Sequence, residues 1–208
     1  LAIGQHMQDT FAQTDRMRDG TNEVLQALCR FRLGEGHLEK VNSILLERRQ
    51  IIERELDALA DQGIDLFDNN YTPIPDTNPQ KHEVSWADAV IGKVRPLLDS
   101  WDQNGKDGII YISPVNDQGY LPTSRSASSK PPTGDPRVDA MQSNYKLFSI
   151  KSEAEMENLR KCRFISMGTF ILPGTDTIFF VIFTPIFVKG KRWGALAAGV
   201  PPKVLGLL

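Results

Sequence analysis

Three apolar segments near the C-terminus constrain the fold of this chain more than any other feature of its sequence. They span residues 164–172, 178–188 and 193–200, and the first two are rich in β-branched and aromatic side chains, which suit the strands of a buried sheet. A Pro-Gly pair at 173–174 and a Lys-Gly pair at 189–190 separate them. Since strands joined by turns this short pair with each other, the sequence predicts an antiparallel meander of three strands.

Helical periodicity dominates the first part of the chain. Residues 1–33 predict one long helix with a heptad seam that is apolar at five of its eight positions. Such a seam is typical either of an amphipathic helix packed on its own domain or of a helical bundle shared between subunits. A second helix is predicted from His37 to about Ala60, because the apolar residues there keep a helical spacing. A third is predicted from Trp86 to about Trp101, with Ser85 as its cap.

The middle of the chain completes an α+β pattern. One strand is predicted over 109–113, followed by a loop at 118–136 that is rich in Pro, Gly and Ser. Short helices are predicted over 137–148 and 152–160. Helices, one strand, a long loop with small helices and then a meander indicate an α+β fold in which helices flank an antiparallel sheet. We call residues 118–136 the roof loop, since we expect them to form an ordered cover over the sheet.

The composition argues against several classes of protein. Of the 208 residues, 40% are hydrophobic and 24% are charged, as in a globular chain of one domain with additional helix, or of two small domains. The net charge of -2 is unsuited to nucleic-acid binding, which needs a concentrated excess of Lys and Arg. Cys29 and Cys162 are too few for a disulfide framework and indicate two reduced thiols in the cytoplasm.

The sequence contains no convincing catalytic or metal-binding pattern. His6, His37 and His82 lie in separate segments without the spacing of metal ligands. Motifs for phosphates, covalent haem or a nucleophilic serine are also missing from the sequence. We therefore expect neither an enzyme nor a metal site, and the sequence names no cofactor. Redox sensing through Cys29 and Cys162 is a further hypothesis, but the apolar surroundings of Cys29 are unlike those of a reactive thiol.

A small-molecule site has better support. The roof loop places aromatic, hydroxyl and cationic side chains beside an apolar sheet, which is the mixture that such a site needs. Arg125 is the natural clamp for a carboxylate or phosphate because its guanidinium offers two parallel N–H groups, whereas in a solvated loop it would contact only water. Trp193 is either part of the core or a platform for a ligand. The predicted ligand-binding residues are Tyr111, Tyr120, Thr123, Ser124, Arg125 and Trp193.

Several phrases of the sequence resemble one family. Residues 21–33, TNEVLQALCRFRL, look like the end of the cytoplasmic signalling hairpin of bacterial methyl-accepting chemotaxis proteins. The rest of the chain resembles a sensory extension that some of these receptors carry after the hairpin. The resemblance spans about residues 22–202, and the phrases that carry it are YTPIPDTNPQK at 71–81, GYLP at 119–122, PTGDP at 132–136, KLF at 146–148 and PIFVKGKRWG at 185–194.

This resemblance implies a cytoplasmic receptor segment, in which residues 1–33 end the signalling helix and residues 34–208 form a PAS/Cache-like sensory domain. The hairpin that contacts the histidine kinase and its coupling protein would lie upstream. The resemblance is compatible with a full-length receptor that is anchored in the membrane and with one that is not. Receptors of this type act as dimers, which favours a homodimer through the N-terminal helices. Relatives place a His near the position of Ser124, where this chain has Ser124-Arg125, so any ligand of that His is in doubt here.

Two functions are compatible with these features. The leading hypothesis is a sensory module that binds an unidentified small molecule and passes a conformational change through its N-terminal helices. The alternative is a dimerisation or docking module that binds no small molecule. An open pocket beneath Tyr111, Tyr120 and Trp193 would favour the first hypothesis, and a packed interior there would favour the second.

Overall fold

The structure, a computed structural model, describes residues 37–102, 105–150, 152–171 and 178–205. The predicted helix over 1–33, with its heptad seam, lies outside the described residues. The predicted α+β class is confirmed. The helices are α1 His37–Asp61, α2 Ala87–Ser100, α3 Pro136–Gln142 and α4 Glu153–Lys161, with 3₁₀ turns at Ser126–Ser128 and Pro202–Leu205.

Four strands form the main sheet, and each strand is antiparallel to its neighbours. These strands are β3 Tyr111–Asn116, β6 Ser166–Ile171, β7 Ile178–Val188 and β8 Lys191–Val200, in the spatial order β3-β8-β7-β6. The predicted meander is therefore confirmed, with β3 added beside its last strand. Two further antiparallel pairs are short: β1 Thr72–Pro73 with β2 His82–Glu83, and β4 Tyr120–Leu121 with β5 Leu147–Phe148.

Several predicted boundaries differ from those in the structure because polar contacts redirect the chain. The strand predicted at 109–113 runs from Tyr111 to Asn116, since the carboxylate of Asp107 first accepts the N–H of Ile109 in a turn. The helix predicted over 137–148 ends at Gln142, because the residues after it pair with the roof loop. Ser85 does not cap α2; its hydroxyl donates to Asp68 instead.

Helix α1 covers one face of the sheet. Its apolar positions repeat at helical spacing, which places them on one side of the helix. Strand β8 contributes Leu196, Ala198 and Val200 to the same cluster, as expected for side chains that alternate along a strand. The buried apolar residues of α1 in this cluster are Val41, Leu45, Ile52, Leu56 and Leu59, each at most 2% exposed.

Acidic side chains of α1 also bind the β7–β8 hairpin. Glu53 accepts the backbone N–H of Phe187 at 2.9 Å, and Asp57 accepts that of Lys189 at 2.7 Å. The Lys189 ammonium lies 2.7 Å from Asp61. The three carboxylates recur every four residues and so lie along one side of the helix. Helix α1 is therefore attached to the hairpin by polar bonds as well as by its apolar face.

The opposite face of the sheet lies beneath α4 and the roof loop. A second apolar cluster forms there, in which small residues of β8 meet larger side chains from above. Its buried members are Val115, Leu121, Leu147, Met156, Leu159, Cys162, Phe183, Ala195 and Ala197. Helix α1 and this second cluster therefore lie on opposite faces of the sheet.

Candidate functional site

The roof loop is attached at one side to the C-terminal end of α2. The Arg125 guanidinium lies 2.7 Å from the Asp102 carboxylate. Next to it, the backbone N–H and the hydroxyl of Ser126 both donate to Asp99 at 2.6 Å. Arg125 is therefore paired with a carboxylate of the protein, so an incoming anion would have to compete with Asp102 for it.

On its inner side, the roof loop contacts the sheet and α2 through buried hydroxyl groups. The Ser124 hydroxyl lies 3.1 Å from that of Ser113 on β3. Thr123 is fully buried; its hydroxyl accepts from Arg95 Nε at 2.9 Å and donates to the Ser124 carbonyl. Because buried hydroxyl groups need partners, these bonds fix the position of the loop above the sheet.

The far part of the roof loop pairs with the segment that leads into β5. The Lys130 N–H donates to the Gln142 carbonyl, and the Asn144 N–H donates to the Ser128 carbonyl, both at 2.7 Å. The Ser143 hydroxyl donates to the Lys130 carbonyl at 2.8 Å. The loop is thus held in place at both ends, as an ordered cover.

Tyr120 and Trp193 belong to a packed aromatic core. Both contact Trp86, with ring centroids 5.6 Å away in each case, and Trp86 is fully buried. The Tyr120 hydroxyl donates to the His82 carbonyl at 2.8 Å, and Trp193 Nε1 donates to the Leu66 carbonyl at 3.0 Å. Burial raises the pKa of Tyr120 above its ordinary value. Because Trp86 fills the space between them, these two rings form no open wall for a ligand.

Tyr111 packs against β8, where Gly199 leaves room for its ring. A Cβ on Gly199 would come within 2.1 Å of a ring carbon of Tyr111, and burial raises the pKa of the Tyr111 phenol. Tyr111 and Arg125 share a cavity of about 10 Å³ with Arg48 and Trp101. Space of this size holds about one water molecule.

A second cavity, of about 50 Å³, borders Trp193 near Asn116 and Arg192. This volume also suits only one or two water molecules. The six predicted residues therefore do not surround one common pocket. Tyr120 and Trp193 meet at Trp86, Thr123 and Ser124 bond to α2 and β3, and Tyr111 and Arg125 lie together at the smaller cavity.

A cationic cluster of Lys81 and Arg95, which sequence reasoning missed, lies under the roof loop. Lys81 is only 2% exposed, and its ammonium donates to the carbonyls of Ser143 and Tyr145 at 2.8 Å. The same ammonium lies 3.7 Å from the centre of the Tyr145 ring, and the Arg95 guanidinium carbon lies 5.6 Å from it. No local pattern marks these residues, because the carbonyls that hold Lys81 come from more than 60 positions away.

Asp139 supplies the negative charge of this cluster. It is fully buried, and its carboxylate accepts the N–H and the hydroxyl of Thr133 and the N–H of Gly134. Those bonds lower the pKa of Asp139, the largest contribution coming from the Thr133 N–H. Burial lowers the pKa of Lys81 to about 8, and the charge of Asp139 opposes part of this shift.

The lowered pKa of Lys81 predicts a pH dependence of stability. Below pH 8 the Lys81 ammonium is charged in both the folded and the unfolded chain. The burial of this charge then lowers the free energy of unfolding by its full amount. Between pH 8 and the ordinary value of 10.5, the unfolded chain binds more protons than the folded one, so stability contributed by this group rises with pH. Urea unfolding at pH 7.5 and 9.5 should show this rise in the wild type.

Two variants isolate the effect of Lys81. Lys81→Met should abolish the rise, whereas Lys93→Met, which replaces an exposed lysine of α2, should retain it. Staying below pH 10 avoids the titration of Tyr111 and Tyr120, whose raised pKa values act in the opposite direction. An equal pH response in wild type and Lys81→Met would contradict the prediction.

The described part of the chain contains no reactive thiol and no metal-binding cluster. Cys162 is buried, its thiol donates to the Phe183 carbonyl, and burial raises its pKa, which is the opposite of a reactive thiol. Cys29 lies outside the described residues. Within those residues, no group of three or more metal-ligating side chains is assembled. Their helices also include none with the length and apolar character of a membrane span.

Comparison with solved structures gives a distant likeness. The chain matches no family model, and it matches no curated protein. Among solved structures, it is similar to the ligand-binding domain of the Campylobacter jejuni chemoreceptor Tlp3 in complex with 4-methylisoleucine, with a TM-score of 0.45 and 12% identity. The match covers 94% of this chain and 61% of the other.

Proposed function

We propose that this chain is the sensory input module of a bacterial chemotaxis receptor, in which a small molecule bound beneath the roof loop changes how the sheet holds α1. One observation carries the proposal. The phrases that resemble chemoreceptor extensions are scattered in sequence but meet in the fold: Tyr120 and Leu121 of the GYLP phrase pair with Phe148 and Leu147 of the KLF phrase. The PTGDP phrase holds the carboxylate of Asp139 in the same region.

The phrase at 185–194 supports a route for the signal. It forms the β7–β8 hairpin, whose backbone N–H groups at Phe187 and Lys189 bind Glu53 and Asp57 of α1. A change in the sheet that moves this hairpin therefore acts directly on α1. Since α1 begins at His37, its N-terminal end adjoins the residues that resemble the signalling helix.

Ligand entry requires the roof loop to move, because the two cavities that border the predicted residues hold only water-sized groups. The bonds that would have to break at α2 are Arg125 with Asp102 and Ser126 with Asp99. The first pair is about one quarter exposed, and the second is exposed. Since partly exposed polar pairs contribute only about 0–1 kcal/mol each, this edge of the roof can open at low cost. A ligand that binds the open state more tightly would shift the population towards it.

The same proposal extends to partners and location. It places the module in the cytoplasm as a homodimer, joined through its N-terminal helices to an upstream signalling hairpin with its kinase and coupling protein. The resemblance of residues 21–33 to the end of that hairpin supports this arrangement.

A ligand screen tests the proposal. Thermal unfolding of the full chain against carboxylates, phosphates, purines and haem should identify a compound that raises the Tm by about 5 °C or more at saturation. With that compound bound, hydrogen exchange at Phe187 and Lys189 should also change, because these amides bond to α1. Stabilisation without any change at these two amides would contradict the proposed route. No stabilising compound at all would contradict sensing.

The docking module remains a second candidate because one observation favours it. The interior beneath Tyr120 and Trp193 is filled by Trp86, and the two cavities that border the predicted residues hold only about 10 and 50 Å³. A protein that only dimerises or docks needs no larger space. If this candidate is correct, no compound should change the Tm, whereas sedimentation should show a stable dimer.

A further inference from the structure

One guanidinium nitrogen under the roof loop has no partner. In the described part of the chain, the buried side-chain nitrogens without a hydrogen-bond partner are Nε of Arg49, Nδ1 of His82 and Nη2 of Arg95. Buried polar groups in native proteins are nearly always hydrogen-bonded, so each exception points to a water or ion that completes it, or to a functional role. For two of these three nitrogens, the surroundings already explain why a hydrogen-bond partner is missing.

The surroundings of Arg49 and His82 leave no need for a ligand. Arg49 lies 3.6 Å from the Glu53 carboxylate, so its charge is compensated. The imidazole of His82 packs edge to face with Phe148 at 5.0 Å, and an imidazole nitrogen can be an unprotonated acceptor that leaves no proton unsatisfied. The Nη2 of Arg95, by contrast, always carries protons, because a guanidinium does not lose its charge in proteins.

The charges around Arg95 do not balance. The positive charge of Lys81 interacts favourably with the carboxylate of Asp139. Among the described residues no carboxylate forms an ion pair with Arg95. Two cations and one carboxylate therefore converge near the Tyr145 ring, with one positive charge in excess. Arg95 as a whole is partly exposed, but its Nη2 is buried. An uncompensated charge costs free energy where it is out of contact with water, and an anion that binds there removes this cost.

We propose that Arg95, together with Lys81 and Tyr145, forms a binding site for a small, singly charged oxyanion beneath the roof loop. The inference rests on the sensory function proposed above and names the chemical class of its ligand. Nη2 of Arg95 donates to the oxyanion. The Nε of Arg95 donates to the Thr123 hydroxyl at 2.9 Å, and this bond holds the guanidinium in place. A single negative charge matches the single excess positive charge. A doubly charged ion such as sulfate would leave the site with a net negative charge.

This assignment differs from the sequence prediction of Arg125 as the anion clamp. Arg125 already has Asp102 at 2.7 Å and Ser128 within hydrogen-bond distance of its Nε. Arg95 has only one neutral hydroxyl partner in the described part of the chain. An anion therefore gains more from Arg95, since it need not displace a carboxylate of the protein.

Thermal unfolding of the full chain in different sodium salts tests the site. At equal ionic strength and millimolar concentrations, where the general stabilising effect of sulfate is small, acetate and nitrate should raise the Tm in a saturable manner relative to chloride, and sulfate should raise it less. A rise with acetate alone would identify the ligand as an organic carboxylate, and a rise with both would extend the site to inorganic oxyanions. Arg95→Met should weaken binding by about tenfold or more, because a charge-assisted hydrogen bond is lost.

Two more variants separate a binding role from a general effect on the fold. Arg95→Lys keeps the charge but loses the planar donor group, so it should bind more weakly than wild type and more tightly than Arg95→Met. Arg54→Met, which changes an exposed arginine of α1, should leave the anion response unchanged.

Three outcomes would overturn the inference. One is an equal Tm in all salts, which means that water alone completes Nη2. Another is an anion affinity that is the same in wild type, Arg95→Met and Arg95→Lys. The third is a response that disappears in Arg125→Met but not in the Arg95 variants. If a neutral compound from the ligand screen stabilises the chain while anions do not, the anion site fails and the sensory function stands. If neither stabilises it, both fail.

Discussion

Gly194→Ala is expected to lower the free energy of unfolding by about 3 kcal/mol or more. A Cβ at position 194 would lie 2.1 Å from the Val115 carbonyl oxygen and 2.5 Å from the Cα of Asn116. Both atoms belong to the backbone of β3, which pairs with β8 at this point, so no side-chain rotation can relieve the clash. Overpacking a core normally costs about 1–3 kcal/mol, and a clash between two strand backbones should reach or exceed the upper end.

Gly168→Ala is the matched control. Gly168 also lies in the main sheet, on β6, but a Cβ there would meet no atom within 4 Å. Since Ala loses less backbone entropy on folding than Gly, this change should be neutral or stabilising by up to about 1 kcal/mol. Urea unfolding of both variants checks the prediction. Equal effects of the two substitutions would mean that β3 and β8 do not pack this closely.

The sequence predicts most of the fold because its signals are local. The segment over 178–188 is rich in β-branched and aromatic residues and forms β7 with the predicted bounds. The apolar spacing after His37 likewise predicts α1 to within one residue at its end. Asp135-Pro136 marks a helix start, and α3 begins at Pro136. In each case a few neighbouring residues determine the element, whatever packs against it.

The candidate site is less predictable because it depends on contacts between distant segments. Turn residues in the roof loop correctly predict an ordered cover, but they do not reveal that Trp86 fills the space between Tyr120 and Trp193. The burial of Lys81 depends on the carbonyls of Ser143 and Tyr145. In the sequence, Lys81 ends a proline-rich stretch and looks like an ordinary surface lysine.

Arg48 shows the same limit on α1. Its neighbours Glu47 and Arg49 suggest a charged, solvated face, yet Arg48 is only 7% exposed. Its guanidinium lies 2.7 Å from the Asp107 carboxylate and 5.5 Å from the centre of the Trp101 ring. The pair joins α1 to the turn that leads into β3, beside the small cavity that Arg125 also lines.

Breaking this pair should cost about 3–5 kcal/mol, because a buried charge would lose its partner. Asp107→Asn is the suitable change, since the amide oxygen can still accept the N–H of Ile109, which bonds to the same side chain at 3.0 Å. Arg48→Met should also destabilise, by leaving Asp107 without its cation. The double variant removes both charges and should be more stable than the sum of the single effects by about 1–3 kcal/mol. Urea unfolding of the four proteins measures this coupling.

An exposed ion pair provides the comparison for this cycle. Lys161 and Glu157 pair on α4 with side chains 75% and 58% exposed, so Glu157→Gln should change stability by no more than about 0.5 kcal/mol. Additive effects of Arg48→Met and Asp107→Asn would show that water, and not the pair, satisfies the two charges. In that case α1 would be held by its apolar face and its bonds to the β7–β8 hairpin alone, which would make the hairpin the main polar contact through which the sheet could act on the helix.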